Sequence, residues 1–195
     1  MSIHGVVLAA GRSERMGRNK ALLYTPEGTL LARAVETLRR GGCGEVVVVA
    51  NEKAADVREA AEPLARVIPA RDVAGAAPID SLRLALRGLP ATVSAVLVLP
   101  VDCPLVRPVT VSALIERFRH GDVAGVVPAW RGTHGHPVLL GRGLFDDARE
   151  RDLTEGLRTL IALRLTDIAI LDTNDESIIV DLDTPEEARR HGVPT

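Results

Sequence analysis

The sequence predicts an α/β fold, an open and mostly parallel sheet covered by helices on both faces. Two observations lead there. Short β-branched runs recur along the chain, and they are continuously apolar instead of alternating, as expected of strands buried on both sides. Between them lie amphipathic patterns of helical period, and strand-then-helix repetition is the mark of a layered α/β architecture.

The runs are 5–10 (GVVLAA), 45–50 (EVVVVA), 95–101 (AVLVLPV), 123–129 (VAGVVPA), 136–140 (HPVLL), 167–172 (DIAILD) and 178–182 (IIVDL). In 30–40, Leu31, Val35 and Leu38 share one helical face, and Gly41 and Gly42 supply the stop. A second helix is expected over 79–89, capped by Asp80 or Ser81 and ended by Gly88; a third runs over 110–121 from Thr110 to Gly121. A fourth starts from Thr154. Residues 69–78 and 131–136 read as loops, and long loops in a compact domain are often functional. With 195 residues, 46% of them hydrophobic, the chain is expected to form one domain over 1–195.

Composition narrows the function classes. Twenty-four basic and 26 acidic residues leave a formal charge of −2, which gives no field for a polyanion or a membrane surface. Aromatic residues are 2%, too few for the stacking platforms of single-strand binders, so neither nucleic acid nor membrane is an expected partner. Cys43 and Cys103 fit no paired motif and read as buried free thiols. No basic segment precedes the apolar stretch 3–10, and the run 95–101 is far below a membrane span; a cytoplasmic protein is expected. Oligomeric state is not legible.

In open α/β sheets ligands bind beyond the carboxyl ends of strands, so the residues after each run carry the chemistry. After the first run come Gly11 and Gly17, with Arg12, Arg15 and Lys20. Glycines let backbone N–H groups approach a ligand, and the cations add full charge, so this loop is expected to bind phosphate. The alternative is an ordinary turn with solvated arginines. Five residues separate Gly11 from Gly17, so neither GxxxxGK[ST] nor GxGxxG applies.

Asp102 follows the third run and is placed to hold a divalent cation, or else to form a turn before Pro104. After the last run, Asp181 and Asp183 are two apart and either fits a second metal ligand. Thr184 then caps a helix that opens on Pro185 and two glutamates. His134 and His136 alternate; an ordinary loop and strand explains them better than a metal site.

The segment LAAGRSERMGRNK resembles the signature LAAGxSxRMGxxK of MobA-like NTP transferases, with Leu8, Ala9, Ala10, Gly11, Ser13, Arg15, Met16, Gly17 and Lys20 in place. The resemblance continues through Asp80–Leu82, Asp102–Leu105, GHPVLL at 135–140 and DLDTPEE at 181–187, in order along nearly the whole chain. It implies a three-layer α/β/α Rossmann-like sheet of the nucleotide-diphospho-sugar transferase type. The implied reaction moves a nucleoside monophosphate from a triphosphate to a phosphorylated acceptor, with magnesium as cofactor and pyrophosphate released.

By the same resemblance Arg15, Lys20 and Asp102 are catalytic, and Asp102 and Asp183 hold the metal. Leu8, Ala9, Ala10, Gly11, Arg12, Ser13 and Lys20 line the nucleotide, with Gly75 and Ser81 near the base, and His136 stands on the acceptor side. The LAAG form, with Ala10, resembles the members that transfer cytidylate, which favours CTP and a molybdopterin acceptor; a sugar or alcohol phosphate is the alternative acceptor. A nucleotide-binding module without turnover would have no need of Asp102 and Asp183. A glycosyltransferase of related fold would be expected to show D-x-D in mid-chain, where only Asp102 stands.

Overall fold

A computed structural model describes residues 1–11, 13–71 and 77–194. Strand β1 (Ser2–Ala9) enters the sheet at once, and a short hairpin of β2 (Tyr24–Thr25) and β3 (Gly28–Thr29) leads into α1 (Leu30–Arg40). Then follow β4 (Val46–Asn51), α2 (Ala55–Ala61), β5 (Arg66–Ala70), α3 (Pro78–Arg87), β6 (Val93–Pro100) and α4 (Pro108–Arg119). The second half holds β7 (Gly125–Trp130), β8 (Thr133–His134), β9 (Val138–Gly141), α5 (Phe145–Glu150), α6 (Leu157–Leu163), β10 (Ile168–Asp172) and α7 (Pro185–Arg190).

The main sheet runs β10-β7-β9-β6-β1-β4-β5, with β8 added to β7. β1 is parallel to β4 and β6, β4 to β5, and β7 to β10, whereas β9 lies antiparallel between β6 and β7. Two cores sandwich this sheet. One, around Val7, Leu31, Leu38, Leu97 and Leu114, is closed by α1 and α4; the other, around Val6, Leu82, Leu86, Val96 and Phe145, by α3 and α5. This is the three-layer, mostly parallel α/β/α sheet that the sequence predicts.

Three helix starts differ from expectation, two of them for a common reason. α3 begins at Pro78, with Asp80 inside its first turn accepting a hydrogen bond from the Ala77 N–H at 3.0 Å. α4 likewise begins at Pro108, not at Thr110, and α6 begins at Leu157 after Gly156, not at Thr154. Proline at the first helical position needs no N–H partner and presets φ, so it starts α3 and α4 ahead of the hydroxyl or carboxylate caps. The α1 stop at Gly41 and the α3 stop at Gly88 fall where expected. Residues 178–182 are not a strand. Glu176–Ile179 form a 3-10 turn, and the chain continues extended past β6, where the Leu182 N–H donates to the Asp102 carbonyl at 2.8 Å. β5 was hidden by its proline, tolerable because β5 ends the sheet.

The reversal of β9 matters for position. Because β9 runs against β6, the residues before it, not those after it, lie at the carboxyl end of the parallel strands. Gly135 donates its N–H to the Pro128 carbonyl and His136 to that of Ile178. A Cβ on Gly135 would stand 2.2 Å from the Ile178 carbonyl oxygen, so only glycine permits this crossing. Between β7 and β8 the turn is the two residues Arg131 (φ 50°) and Gly132 (φ 81°), both left-handed as a tight hairpin requires.

One buried carboxylate ties the 174–179 segment to α4. Asp175, 3% exposed, accepts from Thr110 Oγ1 at 2.6 Å, Ser177 Oγ at 2.6 Å and the Arg107 N–H at 3.1 Å, and pairs with Arg107 Nε at 3.2 Å. Burial alone would raise its pKa, but the Ser177 and Thr110 hydrogen bonds, with Arg107, outweigh it and hold the carboxyl below its ordinary 3.8. The contribution to stability is therefore full above about pH 4 and lost as pH falls through the depressed pKa. Asp175→Asn is expected to cost about 2–3 kcal/mol at pH 7 and progressively less below pH 4, as read by urea denaturation along a pH series.

Candidate active site

β1 delivers the first site segment. Val6 faces one core and Val7 the other, and this alternation leaves Leu8 and Ala10 half-buried on the α3 side with Ala9 buried opposite. Gly11 is exposed. Beyond it, Ser13 takes a left-handed φ of 53° and the chain turns through Glu14–Met16, anchored by the buried Met16 side chain. Ser13 Oγ accepts from the Lys20 N–H at 3.1 Å, and Asn19 Oδ1 caps the next turn from the Ala21 N–H at 3.1 Å. The loop thus closes on itself and aims Lys20 inward.

Lys20 is 12% exposed at its side chain, and Nζ lies 2.6 Å from Asp102 Oδ2 and 2.8 Å from Asp183 Oδ1. Arg15, 69% exposed, reaches the other Asp183 oxygen at 2.7 Å. Burial works to lower the Lys20 pKa, but the charges of Asp102 and Asp183 and their hydrogen bonds win and raise it above 10.5. For Asp183 burial would raise the pKa, and the Lys20 bond and charge, with Arg15, hold it below 3.8. Lys20 and Asp183 are therefore a charged pair at neutral pH.

Each aspartate is set by its own local device. Asp102 follows β6 at a tight turn in which Val101 donates to Leu8 and Cys103 to Pro100. Asp183 is held by the start of α7. Thr184 Oγ1 accepts from the Glu187 N–H at 3.2 Å, while Glu187 Oε2 accepts from the N–H groups of Asp183 and Thr184 at 3.0 and 2.8 Å. Thr184 is the cap expected there, and the reciprocal bond from Glu187 completes a capping box that fixes the backbone from which the Asp183 carboxylate projects. The Thr184 hydroxyl chiefly keeps the Glu187 carboxyl below its ordinary range.

Asp181 stands beside this network. Its Oδ1 lies 3.0 Å from Cys103 Sγ, and ligand atoms of Asp102, Cys103 and Asp181 fall within 4.8 Å of one another. Burial, then the charges of Asp102 and Asp181, push the Cys103 thiol well above its ordinary pKa, so it donates S–H to Asp181. The oxygens of Asp102 and Asp183 already converge on one cation, the Lys20 ammonium. Such an oxygen set suits a hard divalent ion such as magnesium or manganese.

Arg15, Lys20, Asp102 and Asp183, drawn from three distant segments, thus meet in one network. His136 lies within the electrostatic reach of Asp181 and Asp102; burial lowers its pKa, the two carboxylates only partly offsetting it, and its Nδ1 is buried without a hydrogen-bond partner. Ser81 is buried in the first turns of α3, apart from the carboxylates. Arg12 and Gly75 lie outside the described residues. Sequence reasoning missed the thiol that holds Asp181, since a lone cysteine carries no motif. It also missed a pocket of about 400 Å³ lined by Leu105, Arg107, Trp130, Arg131 and 174–177. The signal was available, because the chain's single tryptophan ends a buried strand.

A cation-bearing loop after the first strand and paired carboxylates after later ones stand where open α/β sheets bind their ligands. The chain belongs to the MobA-like NTP transferase family, whose domain its residues 5–169 match. It is 32% identical to nicotine blue oxidoreductase of Paenarthrobacter nicotinovorans, over 96% of this chain and 95% of that one. It is 33% identical to a probable molybdenum cofactor guanylyltransferase of Mycobacterium avium, over 84% and 81%. Among solved structures, Rv0371c of Mycobacterium tuberculosis H37Rv in complex with manganese is 27% identical, with a TM-score of 0.82 and 97% of both chains covered.

Lys20→Met leaves two carboxylates facing each other without their shared cation. The expected cost is about 2 kcal/mol in metal-free buffer, partly recovered by millimolar magnesium, as followed by thermal denaturation. Indifference of the variant to the ion would remove the aspartate pair from any metal role.

Proposed function

We propose that this protein is a magnesium-dependent nucleotidyltransferase, passing a nucleoside monophosphate from a triphosphate, CTP by preference, to a phosphorylated acceptor of the molybdopterin type. The observation that carries the reading is the convergence of Lys20 with Asp102 and Asp183 behind the loop 8–20. In this reading an acceptor phosphate oxygen attacks the α-phosphorus, the bond to the β-phosphate oxygen breaks, and pyrophosphate leaves. The acceptor is ionised at neutral pH, so no side chain needs to create the nucleophile. Asp102 and Asp183 would hold magnesium, whose positive charge offsets that of the reacting phosphates.

Lys20 and Arg15 supply charge where the phosphates gather. Lys20 is held nearly buried and fully protonated, ready to exchange carboxylate for phosphate oxygen, while Arg15 reaches the same place from solvent. In this reading Leu8, Ala9, Ala10, Gly11 and Ser13 form the nucleotide side, with Ser81 toward the base. His136, its pKa lowered by burial, stands on the acceptor side. The two buried free cysteines accord with a cytoplasmic setting. No described helix is long and apolar enough to cross a membrane.

CTP is favoured by the LAAG form with Ala10, which resembles the members that transfer cytidylate; the guanylyltransferase name of one relative makes GTP the competitor. The oxidoreductase name of another makes hydride or electron transfer the rival class. Pyrophosphate release separates them all. Purified protein with magnesium and a molybdopterin acceptor is expected to release pyrophosphate from CTP in preference to GTP, ATP and UTP. Arg15→Ala should abolish turnover without unfolding, and Ala10→Gly should shift the CTP-to-GTP ratio about tenfold toward GTP. Turnover only with sugar or alcohol phosphates would replace the acceptor, and no release with any acceptor would overturn the reading.

A further inference from the structure

The main sheet ends differently on its two sides. β5, the last strand on one side, carries Pro69 and the exposed Arg66, features that discourage pairing with a further strand. β10, the last strand on the other, reads Ile-Ala-Ile-Leu-Asp, without proline or lysine, and pairs in even register with β7 alone. An unguarded edge of this kind is a template for another strand. Apolar surface gathers there as well. Of the large hydrophobic side chains exposed among the described residues, Leu163, Leu165 and Ile170 fall within 163–170, whereas Met1, Tyr24 and Val109 are scattered along the chain.

Backbone parity decides which groups are open. Thr173 donates its N–H to the Ala129 carbonyl at 2.8 Å, and along a parallel strand alternate residues bond the same neighbour. Residues 169, 171 and 173 therefore turn to β7, and Ile168, Ile170 and Asp172 turn their N–H and C=O groups to the free edge. Ile168 belongs to the core on the α3 side, so Ile170 and Asp172 project on that side, which α6 also covers through Leu160. Leu163 and Leu165, at the end of α6 and just after it, lead straight into the same edge.

We propose that β10 is the docking surface for a second copy of this chain, the two strands running antiparallel about a two-fold axis through Ile170, so that one sheet continues into the other. Ile170 of each copy then exchanges backbone hydrogen bonds with Ile170 of the other, and Ile168 does so with Asp172. The exposed side chains of both copies meet on one face of the joined sheet. Charge selects this occupant and this direction. The carboxyl end of β10 is acidic: Asp172 and Glu176 are exposed, and neither has a cation partner among the described residues. The amino end follows Arg164, whose Nε and Nη1 hold Asp167 and Asp147 while its Nη2 takes no described bond. Antiparallel pairing sets the acidic end of each copy beside the arginine of the other, and parallel pairing would set acid against acid. The carboxyl ends of the two parallel sheets then point in opposite directions. Each copy keeps its own complete site, so the inference stands apart from the transferase reading.

The full-length protein is followed by sedimentation velocity over a concentration series, with hydrogen exchange over 165–173 measured on the same samples. A species of twice the 20.8 kDa chain mass is expected to form as concentration rises to about 200 μM, with exchange over that segment slowing in step. Ile170→Lys sets two cations face to face on the axis and should weaken association about a hundredfold; Asp172→Arg turns the charge pairing into repulsion and should weaken it about tenfold. Both side chains are exposed, so each variant should melt within about 2 °C of the wild type. A wild type still monomeric at about 200 μM would overturn the proposal. So would a dimer that persists in Ile170→Lys, or one that leaves exchange over 165–173 unchanged, since the contact would then lie elsewhere. The exchange readout needs the wild type alone, so it decides even where a variant fails to fold.

Discussion

The shared ammonium of Lys20 is the constraint on which the rest of this site depends. Asp102 and Asp183 each place an oxygen within 3 Å of one nitrogen, so the two oxygens lie within about 6 Å of each other, a repulsion of about 3 kcal/mol at an effective dielectric of about 20. A positive centre must lie between them for the segments that carry them to pack side by side. Those segments are 82 and 163 positions from Lys20 in sequence, so the contact also joins the first turn after β1 to the last segment before α7. Folding and ligand binding thus draw on one electrostatic arrangement, and any incoming cation or phosphate has to replace part of it.

The surroundings are built to make that arrangement specific. Ser13 and Asn19 fasten the loop backbone, the capping box fastens Asp183, and the Cys103 thiol occupies an Asp181 oxygen. Among these partners only the Glu187 carboxylate is charged, and it faces backbone N–H groups. They set direction, while Lys20 and Arg15 supply the field, and this separation leaves the charged side chains as the exchangeable parts.

Much of this was legible in the sequence because it depends on short-range rules. Continuous apolar runs gave the strands, glycine gave the stops of α1 and α3, and the Thr184 cap was visible from its place before Pro185 and two glutamates. The loop 8–20 stood out because charge at the end of a buried strand has few structural excuses. What was not legible depends on the third dimension. The run at 178–182 has the composition of a strand, but the chain spends its hydrogen bonds on Asp102 and His136 in place of a ladder. Proline starts of α3 and α4 overrode nearer hydroxyl and carboxylate caps. The pocket around Trp130 draws on three segments whose meeting no local pattern encodes.

The direction of β9 has a consequence for how such a chain can change. The sheet divides there into a purely parallel half, β5-β4-β1-β6, which bears the glycine loop and Asp102, and a half laid down by a broken hairpin, which bears Trp130, Arg131 and His136. Since a hairpin carries its own register and its own turn, residues 130–137 can be exchanged or lengthened without re-threading a crossover helix. One fold can therefore keep its phosphate chemistry while trialling new molecules to put it on, like a tool with a fixed handle and interchangeable jaws.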